Sequence, residues 1–196
     1  MIIVGITGGL GSGKTLVSKI FSELGVKVVD ADKVAKSLYS IEPKLKKEII
    51  EAFGVDVLDE WGEISFKALA DVAFVDDKSV ETLNKIAHPY VRNAIRDKII
   101  DHSVTSDIIA VDAALLFEGQ LLYTVDYIIT VTATLENRIQ RVVASGRLTE
   151  EEARKRISFQ FPDEEKIEKS DFVINNEGST DDLKGEVEKI LAEIRD

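Results

Sequence analysis

The stretch Gly8-Gly9-Leu10-Gly11-Ser12-Gly13-Lys14-Thr15 has the residue types and spacing to hold a chain of phosphates. It fits the pattern G-x-x-x-x-G-K-[ST], with Gly8, Gly13, Lys14 and Thr15 at the fixed positions. Glycines let the backbone curl until successive N–H groups converge as an anion nest. A helix starting behind the loop adds its positive dipole end to the same place. The expected ligand is a nucleoside triphosphate, contacted by Gly9, Gly11, Ser12, Gly13, Lys14, Thr15 and Leu16. Lys14 would reach the β- and γ-phosphates, and Thr15 would turn its hydroxyl to Mg²⁺. A chance match to a glycine-rich turn is the competing reading. The flanks speak against it: Ile2–Ile6 reads as a buried strand, and Leu16–Phe21 continues as an amphipathic helix.

Three aspartates come next. Asp30 and Asp32 follow a second apolar stretch, Val26–Asp30, and strands of an open parallel sheet end at the ligand crevice. A carboxylate there can take the proton from an acceptor hydroxyl, or it can cap the next helix. Both readings stand for this pair. Asp112 ends another apolar run, where phosphate-loop proteins place the acid that orders the Mg²⁺ shell; capping is its alternative. Five of the eight arginines fall between Arg138 and Arg156, joined by Lys155 and opposed only by Glu150, Glu151 and Glu152. Such a positive island suits a lid closing over transferring phosphates, with some members, Arg154 among them, on a solvated helical face. His88 precedes Pro89, which biases it to an extended conformation at a helix boundary and gives it no catalytic reading. His102 has no functional reading.

These residues need a frame. Strand, loop, helix and strand over the first thirty residues make a βαβ unit with parallel strands. From Lys33 to about His102 helical spacing takes over, interrupted by a turn at Asp59-Glu60-Trp61-Gly62-Glu63. Ile108–Asp112 and Tyr127–Val131 return to near-continuous apolar runs, which suit a sheet covered on both faces. Helices are expected at Leu135–Val143 and, from a Thr149–Glu152 capping box, through Ile157. A short strand at Phe172–Ile174 precedes a last helix with Leu183, Val187, Ile190, Leu191 and Ile194 on one face. The expected architecture is a three-layer α/β/α phosphate-loop kinase fold. Its parts would be a nucleotide-binding core (1–32, 103–135, 170–196), a helical acceptor-binding insertion (33–102) and an arginine-rich lid (136–169).

Composition sets the outer bounds. The 196 residues suffice for one α/β domain with insertions, and 44% hydrophobic with 31% charged content is that of a globular chain. A net charge of −11 argues against a nucleic-acid surface, which is usually basic. No apolar run reaches the length of a membrane span, the N-terminus lacks the basic region of a signal peptide, and there is no cysteine. The expected location is the cytoplasm.

In order and spacing the chain resembles the dephospho-coenzyme A kinase family over nearly its whole length. The resemblance rests on Ile6–Lys14, Val29-Asp30-Ala31-Asp32-Lys33-Val34-Ala35, Asp59–Ile64, Ala68-Leu69-Ala70, His88-Pro89, Leu115-Leu116-Phe117-Glu118, Arg141, Arg156, Gln160 and Asp171–Ser179. It implies ATP and dephospho-coenzyme A as substrates, with Asp32 as the base for the ribose 3′-hydroxyl and Arg141 as the lid arginine on the transferring phosphates. Asn176 would lie beside the adenine, and His88 in the acceptor region. The chain departs from the family pattern at Leu16, at Phe66 where an arginine is common, at Ala114 where proline is usual, and at Ser145 in the lid. A kinase of the same fold acting on a nucleoside monophosphate is the near alternative. A guanine-nucleotide switch is the distant one, disfavoured because Asn84-Lys85-Ile86-Ala87 lacks the aspartate of the base-binding motif.

Overall fold

The computed structural model describes residues 1–117, 125–146 and 148–195, so Glu118 and Arg147 of the motifs above lie outside it. The chain divides into two compact units, one of residues 1–30 with 99–196 and one of residues 31–98.

The first unit is built on five parallel strands: β1 (Ile2–Gly8), β2 (Lys27–Asp30), β3 (Ile108–Asp112), β4 (Tyr127–Thr132) and β5 (Phe172–Asn175), ordered β2-β3-β1-β4-β5. Their apolar continuity is that of strands buried on both faces, and all five residues of β3 are buried. The crossover from β1 to β2 is α1 (Lys14–Glu23). On one face, Val17, Ile20 and Phe21 of α1 and Leu183, Val187, Ile190, Leu191 and Ile194 of α9 (Thr180–Arg195) join Val4, Ile6, Ala110, Ile129, Val131 and Ile174 in one core. The remaining helices here are α6 (Leu135–Ala144), α7 (Glu150–Ser158) and α8 (Asp163–Glu168). The expected capping box holds: Thr149 accepts from the Glu152 N–H, and the Glu152 carboxylate accepts from the Thr149 N–H. The sequence reading left α8 without an element; six residues are too short for a helical period to register.

Register decides what gathers at the carboxyl edge of the sheet. Asp112 stands opposite Ile6 of β1 and opposite Asp30 of β2. The loop after β1 therefore leaves the sheet beside two aspartates, at the edge where ligands of open α/β sheets bind.

The second unit is helical: α2 (Ala31–Ile41), α3 (Pro43–Phe53), a 3-10 turn at Val55–Val57, α4 (Phe66–Ala73) and α5 (Asp77–Ser103), whose last turns belong to the first unit. Its buried apolar side chains include Val34, Leu38, Leu45, Ile49, Val57, Ile64, Leu69, Leu83 and Ile95. The Asp59–Glu63 turn is closed by an isolated antiparallel bridge between Leu58 and Ile64, with Asp59 accepting from the Trp61 and Glu63 N–H groups. Phe66, at the departure from the family pattern, meets Tyr39 edge-on with ring centroids 5.2 Å apart.

One expectation fails here. His88-Pro89 does not mark a helix boundary; α5 runs through both residues for 27 residues. Proline removes one i→i−4 bond, and it disfavours a helical residue before it. The apolar stripe of Leu83, Ala87, Ile95 and Ile99 is buried on both sides of Pro89, and that burial outweighs the single lost bond. Among the described residues no helix is long and apolar enough to cross a membrane.

Candidate active site

The phosphate loop gets its shape from glycines and from side chains that press on it. Gly11 and Gly13 have φ of 80° and 95°, the left-handed region that glycine enters without steric cost. The Ser12 N–H turns back to the Gly9 carbonyl at 3.0 Å, and the Leu16 N–H reaches the Gly13 carbonyl at 2.9 Å. Among the described residues the N–H groups of Gly11, Gly13 and Thr15 make no hydrogen bond. These donors open at the N-terminus of the ten-residue α1, where anions are favoured. Thr15 is exposed, whereas Leu16 packs its side chain against the sheet core.

Lys14 forms an ion pair with Asp112, whose side chain is almost entirely buried. The strand-end aspartate thus fixes the loop lysine against the sheet edge. Buried charges need such partners, because an isolated one is expensive to desolvate.

Support from beneath the loop was only partly visible in sequence. The Asn176 amide donates from Nδ2 to the Ser12 carbonyl at 2.8 Å, in a buried position. Its own N–H donates to the Thr132 carbonyl at 2.8 Å, so the loop after β5 is pinned to the end of β4. Arg141 of α6 donates from Nη2 to the Asn176 carbonyl at 2.8 Å; its buried Nη1 makes no hydrogen bond among the described residues. Glu177 accepts from the Thr134 N–H and from Asn137 Nδ2, and the Thr134 N–H in particular holds its carboxyl below the usual glutamate range. One short loop therefore braces both the phosphate loop and the start of α6.

The arginine island divides. Arg154 pairs with Glu150 and Glu136 on the surface, the solvated face expected for it. Lys155 and Arg156 are exposed. Arg138 instead turns inward: it is 4% exposed, pairs with Asp163, and donates from Nε to the Leu10 carbonyl at 2.9 Å. Among the described arginines of the island, Arg138 is thus the one whose side chain turns under the phosphate loop. The missed signal lay in α6, where Arg138 immediately precedes the buried Ile139 and lies four residues before the buried Val142. Gln160, Asp163 and the fully buried Lys166 were also passed over as site residues.

Two predicted residues lie in the second unit. Asp32 is exposed in the first turn of α2, two residues beyond the end of β2. His88 is half-buried in α5, and burial first, with Arg92 second, holds its imidazole below the ordinary histidine value. It is accordingly a neutral hydrogen-bonding group at neutral pH.

Comparison with known proteins identifies the family and the fold. Residues 2–182 match the sequence pattern of the dephospho-CoA kinase family. The chain belongs to that family. A dephospho-CoA kinase from Bacillus cereus is 37% identical over 191 residues, covering 97% of this chain and 96% of the relative. A crystal structure from Thermus thermophilus superposes with a TM-score of 0.86 at 31% identity, covering 98% of this chain and 97% of its own. A dephospho-CoA kinase structure from Campylobacter jejuni gives 0.72 at 27%, covering 98% and 96%. The fold is the phosphate-loop kinase fold, and family membership makes the chain an ATP-dependent kinase.

Proposed function

We propose that this chain transfers the γ-phosphoryl group of ATP to the ribose 3′-hydroxyl of dephospho-coenzyme A, giving coenzyme A and ADP. The observation that carries the reading is the braced glycine loop, with uncommitted N–H groups at the head of α1 and Lys14 and Asp112 paired beside it. Membership of the dephospho-CoA kinase family supplies the acceptor.

In this reading the loop amides and Lys14 hold the β- and γ-phosphates. Charge that develops on the transferring group meets fixed dipoles that need no reorganisation. Arg141 adds the Nη1 that makes no hydrogen bond among the described residues. The Asp32 carboxylate takes the proton of the 3′-hydroxyl as its oxygen bonds to the γ-phosphorus. The bond from that phosphorus to the β–γ bridging oxygen breaks, and ADP leaves. The exposed Thr15 hydroxyl and the Asp112 carboxylate fit Mg²⁺, which usually takes one or two protein oxygens beside substrate phosphates. Bound there, it would neutralise phosphate charge. Asn176 would flank the adenine, and its amide already serves the loop through Ser12. Residues 33–102, with His88, would take the acceptor, and 136–169 would act as the lid. A cytoplasmic location, and small-molecule substrates without nucleic acid or membrane partners, belong to the same proposal.

The test is direct. Purified protein with ATP, Mg²⁺ and dephospho-coenzyme A should yield coenzyme A by chromatography, and Asp32→Asn should lower turnover by about 10²–10⁴-fold while ATP affinity holds. Equal ATP consumption without acceptor, or preference for a nucleoside monophosphate, would overturn the assignment. Near-normal turnover by Asp32→Asn would return Asp32 to a capping role.

A further inference from the structure

The phosphate-loop pattern demands glycine only at its first position and before the lysine. Gly9 and Gly11 are therefore unexplained by the motif; Arg138 explains Gly9, and at Gly11 it adds to the demand of a φ of 80°. A Cβ built on Gly9 would stand 2.1 Å from Arg138 Nη2, and one on Gly11 would stand 2.3 Å from the Arg138 carbonyl oxygen. The peptide between these glycines is gripped at both ends. The Leu10 N–H donates to Gln160 Oε1 at 2.8 Å, and the Leu10 carbonyl accepts from Arg138 Nε at 2.9 Å. The two gripping side chains also meet, with Arg138 Nη2 to Gln160 Oε1 at 3.5 Å. Asp163 completes the set by pairing with Arg138 Nη1, and is itself approached by Thr132 Oγ1 at 3.5 Å and Lys166 Nζ at 3.9 Å.

We infer that Arg138 and Gln160 are positioning residues for the phosphate loop, clasping the Leu10 peptide so that the amides that follow keep their inward aim. The inference rests on the nucleotide half of the proposed function and goes beyond it. Arg138 is not a phosphate ligand, since its Nε, Nη1 and Nη2 already face Leu10, Asp163 and Gln160. Because Arg138 lies in α6, Gln160 between α7 and α8, and Asp163 at the start of α8, the clasp spans the arginine-rich segment. Folding of that segment and the shape of the nucleotide cradle are thus one event.

The experiment compares Arg138→Lys, Arg138→Ala and Gln160→Ala by calorimetric titration with ADP and Mg²⁺, alongside steady-state kinetics. Gln160 is partly exposed, so Gln160→Ala tests the clasp without the misfolding that would confound the Arg138 variants. Each variant should weaken ADP binding by about tenfold, the loss of one or two well-placed hydrogen bonds. Arg138→Lys should do no better than Arg138→Ala, since a lysine restores the charge but not the fork. The loss should fall on the KM for ATP, with the acceptor KM unmoved. Arg138→Ala combined with Gln160→Ala should bind ADP no worse than the weaker single variant, because both act on one peptide. The inference fails if Gln160→Ala binds ADP normally. It fails equally if Arg138→Lys keeps ADP affinity and loses kcat, the signature of a phosphate ligand. Calorimetry with ADP reads the clasp even if dephospho-coenzyme A is not the acceptor, so the two failures are distinguishable.

Discussion

Gly13 and Asn176 should be energetically coupled, and the structure fixes the sign and size of the coupling. Gly13 sits at φ 95°, and a Cβ there would fall 1.9 Å from Asn176 Nδ2, the atom that donates to the Ser12 carbonyl. Asn176→Ala leaves that buried carbonyl unpaired, a loss of about 1–3 kcal/mol. Gly13→Ala brings two penalties: about 1–2 kcal/mol for a left-handed non-glycine residue, and expulsion of the Asn176 amide with the same hydrogen bond. In the double variant the hydrogen bond is already gone and the new methyl occupies the space the amide vacated. Only the backbone strain is added. The two single losses should therefore exceed the double loss by about 1–3 kcal/mol.

Urea denaturation of the four proteins in the cycle measures this, and thermal midpoints should follow at about 3 °C for each kcal/mol in a chain of this length. Additivity within a few tenths of a kcal/mol would refute the reasoning, for it would mean that the amide and the Gly13 position do not share space. ADP affinity offers a second reading of the same cycle. The double variant should bind no more weakly than Gly13→Ala alone.

Other outcomes follow from single contacts. Lys14→Met should lower kcat/KM by about 10²–10³-fold and destabilise the fold by stranding the Asp112 carboxylate; adding Asp112→Asn should recover stability in denaturant but not turnover. An NMR titration of His88 should show a midpoint below about 6.5. Because folding lowers that value, the neutral ring is the form folding favours. Stability should fall as pH drops from the unfolded value to the folded one, and His88→Asn should remove that part of the slope; a midpoint at or above 6.5 would contradict the burial argument. Chelating Mg²⁺ should weaken ADP binding, measured by titration calorimetry in EDTA, because Asp30 and Asp112 lie in register at the carboxyl edge of the sheet.

The sheet and its contents were largely legible because their signals are local. Ile108–Asp112 and Tyr127–Val131 read as strands from apolar continuity, and the last helix showed its buried face residue by residue. What escaped depends on contacts between segments far apart in sequence. Arg138 lies 128 residues from its partner Leu10, and Asn176 lies 164 residues from Ser12. The spacing of Arg138 with Ile139 and Val142 in α6 marks an inward-facing residue, but only the distant loop shows what it meets. Pro89 escaped for the opposite reason. The local rule was sound, and the packing of Ala87 and Ile95 around the proline overrode it.

A chain with net charge −11 that binds a polyphosphate poses an electrostatic question, and the distances answer it. Exposed charges more than about 8 Å away are largely screened at physiological salt, so most of the acidic surface contributes little at the loop. The near groups decide. Asp30 and Asp112 stand in register at the sheet edge, and Asp112 forms an ion pair with Lys14. The attraction for phosphate comes from the loop amides, the dipole of α1 and Arg141, whose Nη1 makes no hydrogen bond among the described residues. The amides carry no formal charge, and side chains hold the loop in place: Asn176 on Ser12, and Arg138 with Gln160 on Leu10. Attraction for the ligand is thus stored in the orientation of peptide dipoles more than in net charge. Substitutions beneath the loop that leave every formal charge intact, Gln160→Ala among them, therefore change the field at the phosphates.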